Sequence, residues 1–196
     1  VLQAAGKAQG QIDAISGINS DRTLLYTTPT SMKPITNTTI NVVEDLNERL
    51  FDANYIIPAN TLAVGDVYEV DAKILMMRSA TVGSQAVVIA PYLNGAVVAP
   101  LGTATSSNAS ANNFFTISVT IRYAVRELGV SGKIAAAGYL QSGGTSFQLV
   151  SAASFQTFDT TQDLALNVAF RLNSAALAGD IIVVKSARLF RLNNPS

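Results

Sequence analysis

The stretch TLAVGDVYEVDAKILMM, residues 61–77, decides how this chain folds. Tyr68, Val70, Ala72, Ile74 and Met76 alternate with Glu69, Asp71 and Lys73. A period of two with one apolar and one charged side is the signature of a half-buried β-strand. The approach is equally informative. Pro58 ends the run YII and fixes an extended entry, and Gly65 can take the positive φ that a turn demands. Asp66 suits the turn exit, where its carboxylate can accept local backbone N–H bonds. The device returns in ALAGDIIVVKSARLFRL, residues 176–192, where Gly179 and Asp180 precede the last long strand.

The same periodicity recurs along the chain. In FFTISVTIRYAVR, residues 114–126, one face holds Phe115, Ile117, Val119, Ile121, Tyr123 and Val125; Thr116, Ser118, Thr120, Arg122 and Arg126 form the other. LALNVAFRL, residues 164–172, places Leu164, Leu166, Val168, Phe170 and Leu172 on one side. A slip of one residue would expose either set, so both registers are tightly specified. AVVIAPYLNGAVVAPL, residues 86–101, carries Asn94-Gly95, a strong hairpin signal. TLLYTTPT (23–30), KIAAAGYLQ (133–141) and SFQLVSAASFQTF (146–158) read as further strands. SMKPITN (31–37) reads as a turn, and GTATSSNASANN (102–113) and QSGGTS (141–146) as polar loops. INVVEDLNERLFD (40–52) has helical spacing in Val43, Leu46 and Leu50. The sum is an all-β, antiparallel β-sandwich of about eight strands without βαβ alternation or internal repeat. Strands of this length with long loops fit a jelly roll better than an immunoglobulin-like sandwich. Residues 23–196 make one domain, preceded by an extended N-terminal arm, residues 1–22, in which Ile12, Ile15 and Ile18 are too sparse for an independent helix.

Composition narrows the chemistry. The 196 residues include neither cysteine nor histidine. Disulfide scaffolds, thiol nucleophiles and Cys- or His-based metal sites are thereby excluded, as are serine triads with a histidine base. Charged residues make up 13% of the chain, about half the usual share, with Ser, Thr and Asn supplying much of the polarity. No apolar run approaches the roughly 20 residues of a membrane-spanning helix, and no signal-peptide pattern is present. Val1 in place of an initiator Met fits a processed chain or the ordered part of a longer one. Net charge is zero, yet up to residue 72 nine acids face four bases, and beyond it four acids face nine bases. Cross-strand pairing within one domain accounts for this; complementary faces on adjacent copies would use it differently.

Candidate sites each have a plainer explanation. Glu44, Asp45, Glu48 and Asp52 offer oxygen ligands for a hard cation, but not with EF-hand spacing and with Arg49 among them. A solvated acidic face explains them better. Glu69 and Asp71 share a strand face as a glycosidase pair would, but Lys73 follows in the same row, which favours cross-strand ion pairing. Lys73 lies on a charged face, unsuited to a Schiff base. Arg122, Arg126 and Lys133 are too few, and too poor in aromatic company, for a nucleic-acid surface. Asn37-Thr38-Thr39 and Asn108-Ala109-Ser110 match the glycosylation sequon, a weak pattern. No cofactor is expected.

LFDANYIIPANTLAVGDVYEVDAKI, residues 50–74, resembles a pattern in virion proteins of tailed bacteriophages, in which an IPANTL approach and a Gly-Asp precede a long strand. LNSAALAGDIIVVKSARLFRL, residues 172–192, looks like the closing strands of the same domain. The resemblance is closest over residues 50–76 and extends in outline from Thr23 to Leu192. It implies a jelly-roll-like domain of the decoration, head-fibre or tail-associated type, often trimeric, with Pro58, Asn60, Gly65 and Asp66 as fold-forming residues. It carries no catalytic or receptor-binding residue. The expected role is a non-enzymatic structural protein of a virion. Its expected partners are further copies of itself, a trimer above all, then other virion proteins and a host-surface receptor; no nucleic acid is expected. The alternatives are the major coat protein of a small virus, against which the lack of a basic arm counts, and a carbohydrate-binding β-sandwich module. Such modules usually present aromatic platforms, and this chain has no Trp and six Tyr.

Overall fold

Alternating sequence becomes paired strand in thirteen antiparallel segments of a computed structural model, which describes residues 22–28, 30–34, 49–77, 85–97, 102–106, 114–142, 145–149, 156–172 and 181–192. In chain order they are β1 (Arg22–Thr28), β2 (Ser31–Pro34), β3 (Tyr55–Ile57), β4 (Val67–Met77), β5 (Gln85–Leu93), β6 (Ala96–Val97) and β7 (Gly102–Ser106). Then follow β8 (Phe114–Glu127), β9 (Gly132–Ser142), β10 (Thr145–Leu149), β11 (Gln156–Phe158), β12 (Leu164–Leu172) and β13 (Ile181–Leu192). The larger sheet runs β1-β13-β4-β8-β9-β10, with β2 beside β13 and β11 beside β9. The smaller runs β3-β12-β5-β6, with β7 also on β5.

Several short segments share one edge of the same neighbour: β1 and β2 on β13, β6 and β7 on β5, β10 and β11 on β9. Counted this way the sandwich has ten strand positions. Set aside β9 and the β10/β11 edge, and eight positions remain. The first, eighth, third and sixth form one sheet, and the second, seventh, fourth and fifth form the other. That alternation is the jelly-roll winding. The additional hairpin widens the larger sheet beyond β8.

Period-two sequence sets the register. On β4, Tyr68, Val70, Ala72, Ile74 and Met76 are all buried, and β8 contributes Ile117, Val119, Ile121, Tyr123 and Val125. Leu164, Leu166, Val168 and Phe170 of β12 face them in one cluster with Ile182, Val184 and Leu189 of β13. The side chains of Phe115 and Leu172 lie outside the described residues. Each such aliphatic side chain, cut to Ala, costs about 2–5 kcal/mol.

Other expectations need correction. Ser31–Pro34, expected as a turn, is strand β2, since its backbone completes the edge of β13 from Ile181 to Val184. Gly102–Ser106, expected within a polar loop, pairs with Gln85–Ile89. The single strand expected over 146–158 is two segments, β10 and β11. Of the helix expected over 40–52, residues 40–48 lie outside the described residues; Arg49 instead bridges Ala169, and the Leu50 amide donates to the Val168 carbonyl at 2.8 Å. Residues 1–21 of the expected arm lie outside the described residues, and Arg22 opens β1.

One polar contact crosses the apolar interior. The buried Tyr123 hydroxyl on β8 donates to the Asn167 carbonyl of β12 at 2.5 Å and accepts the Tyr92 amide of β5 at 3.2 Å. Asn167 and Tyr92 are ladder partners, and the phenol joins their pairing from the opposite sheet. Burial also pushes its pKa far above the usual tyrosine value.

Tyr123→Phe should lower stability by about 0.5–1.5 kcal/mol, because a buried inter-sheet hydrogen bond is lost while its backbone partners keep their ladder pairing. Urea unfolding of the two proteins measures it, and a change within error would show that the contact is dispensable. Tyrosine in the unfolded chain ionises near pH 10. The raised folded-state pKa thus contributes stability that is complete below about pH 10 and lost as pH climbs toward the folded value. Wild-type stability should fall more steeply above pH 10 than that of Tyr123→Phe; parallel pH profiles would contradict this.

Candidate functional site

The outward face of the larger sheet gathers most of the described charge. Successive rows across β13, β4, β8 and β9 read Phe190, Glu69, Arg122, Ala137; then Arg188, Asp71, Thr120, Tyr139; then Ser186, Lys73, Ser118, Gln141. Each row is two residues along from the next, so all twelve residues lie on one side.

The first row is a structural network. Glu69 is fully buried although it faces outward. Arg22, reaching in from β1, pairs with its Oε1, and Arg122 Nε meets its Oε2 at 2.6 Å. The Arg22 guanidinium also lies 5.2 Å from the Phe190 ring centre. Asp71 accepts the Thr120 hydroxyl at 2.9 Å and Arg22 at 3.4 Å. Glu69 and Asp71 are thus joined through one arginine, and the Glu69 carboxylate has no open side for a substrate. The cross-strand explanation of this pair accounts for its geometry, and it joins Glu69 of the first half of the chain to Arg122 of the second.

The next two rows frame a shallow depression of about 230 Å³, lined by Asp71, Lys73, Ser118, Thr120, Tyr139, Gln141, Ser186 and Arg188 among others. Tyr139 stands 53% exposed at its rim. Lys73 is exposed, as expected for its row. Tyr139 and Gln141 come from β9, so the strand added to the jelly roll supplies one wall.

The turn residues sit at one end of the sandwich. Asn60 (φ 58°) and Gly65 (φ 95°) adopt left-handed backbone, and Asp66 accepts the Ala63 amide at 2.9 Å while Arg191 grips both its oxygens at 2.9 and 3.0 Å. That ion pair is the largest cause raising the Arg191 pKa. The Ala59 amide, following Pro58, donates to Asp163 at 2.8 Å. Asn94 (φ 49°) and Gly95 (φ 81°) turn β5 into β6, and the Asn94 side chain caps the Ala165 amide at 3.0 Å. The Gly65 amide reaches the Val125 carbonyl, and Asn60 and Thr160 tie the loops at 58–66, 128–131 and 159–163 together. On these loops Val64, Leu128 and Val130 are 63%, 48% and 71% exposed. Gly179, Asp180, both sequons and the acids Glu44, Asp45 and Glu48 lie outside the described residues. Asp52 accepts the Thr28 hydroxyl at 2.7 Å. Arg126 is exposed, and Lys133 pairs with Glu127.

Two residues escaped the sequence reading. Arg49, expected on a solvated face, is fully buried, with its guanidinium 3.8 Å from the Tyr92 ring centre. Asn167, in an apolar strand, binds the Phe51 amide at 3.0 Å and Asn54 at 2.9 Å, fastening residues 51–54 to β12. An Asn inside LALNVAFRL was the available signal. Among the described residues there is no cluster of metal-ligating side chains and no helix long and apolar enough to cross a membrane.

No family model matches the chain, and no curated protein matches it. Solved structures similar to it include the CBM2 module of the evolved Dit of Lactobacillus casei BL23 phage J-1, at 8% identity and TM-score 0.39 over 90% of this chain and 98% of that one. A GH43 glycoside hydrolase engineered for endo-xylanase and exo-arabinofuranosidase activity gives 13% and 0.37 over 89% and 37%. The T13 IBDV viral particle gives 13% and 0.26 over 89% and 40%. Superpositions this loose say nothing about ligands or partners.

The Glu69 network predicts an asymmetry. Glu69→Gln leaves two half-exposed arginines that water can solvate, and should cost roughly 1–2 kcal/mol. Arg22→Met with Arg122→Met keeps the cover but strands a buried carboxylate, and should cost about 3–5 kcal/mol. Chemical denaturation ranks the two; equal costs, or the reverse order, would contradict the assigned burial.

Proposed function

We propose that the protein is a non-enzymatic structural subunit of a bacteriophage particle, of the decoration, fibre or tail-associated kind, assembling as a homotrimer. The observation that carries this reading is the end of the sandwich where Val64, Leu128 and Val130 stand exposed. They sit on loops cross-tied by backbone hydrogen bonds, so burying them in a neighbour costs little ordering entropy. Apolar side chains on a pre-formed platform are what a subunit interface needs at its centre.

Two features support the non-enzymatic part. Every described carboxylate already holds an ion pair or a hydrogen bond. The whole chain offers no imidazole or thiol. The virion part rests on the resemblance of residues 50–76 and on the jelly-roll winding, an architecture used by capsid and lectin domains. Fold alone serves many roles, so the assembly is what must be tested.

Light scattering behind size exclusion should return three chain masses. Leu128→Asp with Val130→Asp should give a folded monomer with unchanged circular dichroism. A wild-type monomer, or a variant that stays trimeric, would overturn the interface, and a very large wild-type particle would make the chain a shell protein instead.

A further inference from the structure

We propose that the depression on the outward face of the larger sheet is a binding site for an acidic, carboxylate-bearing oligosaccharide. This goes beyond assembly and is independent of where in a particle the subunit sits.

Saccharide recognition needs two things side by side: an aromatic face for the apolar C–H side of a pyranose ring, and short polar groups for its hydroxyls. The depression supplies both. Tyr139 projects its ring at the rim, 53% exposed. Next to it lie the Ser118 and Ser186 hydroxyls and the Gln141 amide, none of which has a side-chain hydrogen bond within the described fold. Arg188, Asp71, Thr120 and Tyr139 stand in one row over four adjacent strands, and Ser186, Lys73, Ser118 and Gln141 in the next. At about 4.8 Å per strand the row spans roughly 14 Å, room for a short oligosaccharide rather than a single sugar.

Charge selects among saccharides. The one carboxylate in the depression, Asp71, is already paired with Arg22, which it shares with Glu69, and accepts the Thr120 hydroxyl. The Lys73 ammonium has no carboxylate partner among the described residues, and the Arg188 guanidinium, 5.7 Å from the Phe190 ring centre, has none either. Two uncompensated cations thus face a hydroxyl-rich floor. A guanidinium fork matches a carboxylate bidentately, and the ammonium acts as a second point charge. In this arrangement Tyr139 stacks on one sugar ring, Arg188 and Lys73 hold the carboxylate of the next, and Ser118 and Gln141 bond hydroxyls between them.

The added hairpin strengthens the assignment. The jelly roll is complete at β8, and without β9 the depression would lose both its aromatic rim and Gln141. β9 lies very close to β8 at this point: a Cβ on Gly138 would fall 2.2 Å from the Thr120 carbonyl oxygen. A glycine there lets the strand carrying Tyr139 seat tightly beside Thr120.

Isothermal titration of the wild-type chain with trigalacturonate and 3′-sialyllactose, against maltotriose and lactose as neutral controls, tests the proposal. At least one carboxylated probe should bind at least about tenfold more tightly than its neutral control, a difference of ~1.4 kcal/mol. That preference should shrink as salt is raised. Tyr139→Ala should weaken binding about tenfold, Tyr139→Phe should retain it, and Lys73→Ala with Arg188→Ala should abolish the preference for acid. All three change surface side chains, and circular dichroism verifies the fold. Failure of both carboxylated probes to bind, equal affinity for neutral sugars, or indifference to Tyr139→Ala would each overturn the proposal. A phosphorylated glycerol oligomer serves as a further arm, and tighter binding of it than of both carboxylated probes would assign the cations to phosphate and overturn the carboxylate. None of these outcomes alters the oligomeric state, so the site and the subunit reading fail separately.

Discussion

The two sheets of this sandwich are held in register by a phenol. Apolar burial drives them together without preferring one alignment over another a few ångströms away. The Tyr123 hydroxyl does prefer one, because it has to meet the Asn167 carbonyl and the Tyr92 amide at once. Those groups are already paired with each other across the β5–β12 ladder, so the phenol of the opposite sheet docks on a backbone position that the ladder has fixed.

A second constraint acts on the outside. Glu69 belongs to the charged row of β4, yet it is buried beneath Arg22 and Arg122, which approach from opposite sides. The carboxylate ties β1 to β8 over the top of β13 and β4. It also draws Arg22 toward Asp71, and so strips the neighbouring depression of free negative charge. The ionic network and the recognition site are therefore coupled: one leaves the other its surplus of positive charge.

Legibility from sequence followed periodicity. β4, β8 and β12 were plain in advance because their apolar sets alternate over long runs, and Asn94-Gly95 announced its hairpin. Ser31–Pro34 and Gly102–Ser106 differ from expectation because each is too short and too poor in large apolar residues to show a period; each becomes strand because a long neighbour offers an unpaired edge. Arg49 was misread for a related reason. Its surroundings have helical spacing, but its bridge to Ala169 and its place over Tyr92 depend on residues more than forty positions away. At the candidate site the charged row Glu69, Asp71, Lys73 was legible, whereas Tyr139 was hidden in KIAAAGYLQ. Only the registers of β9, β8, β4 and β13 bring it level with Arg188.

The most direct test of the inter-sheet tie is amide hydrogen exchange at Tyr92, resolved by NMR. The Tyr92 N–H faces its ladder partner Asn167 and also meets the Tyr123 hydroxyl, so the wild type is compared with Tyr123→Phe, which removes only the second contact. If Tyr123 fastens the sheets, this amide exchanges in the wild type as slowly as the ladder amides of Val119 and Ile121, and faster than them in Tyr123→Phe. Equal protection relative to those amides in the two proteins would mean that the sheets are aligned by apolar packing alone.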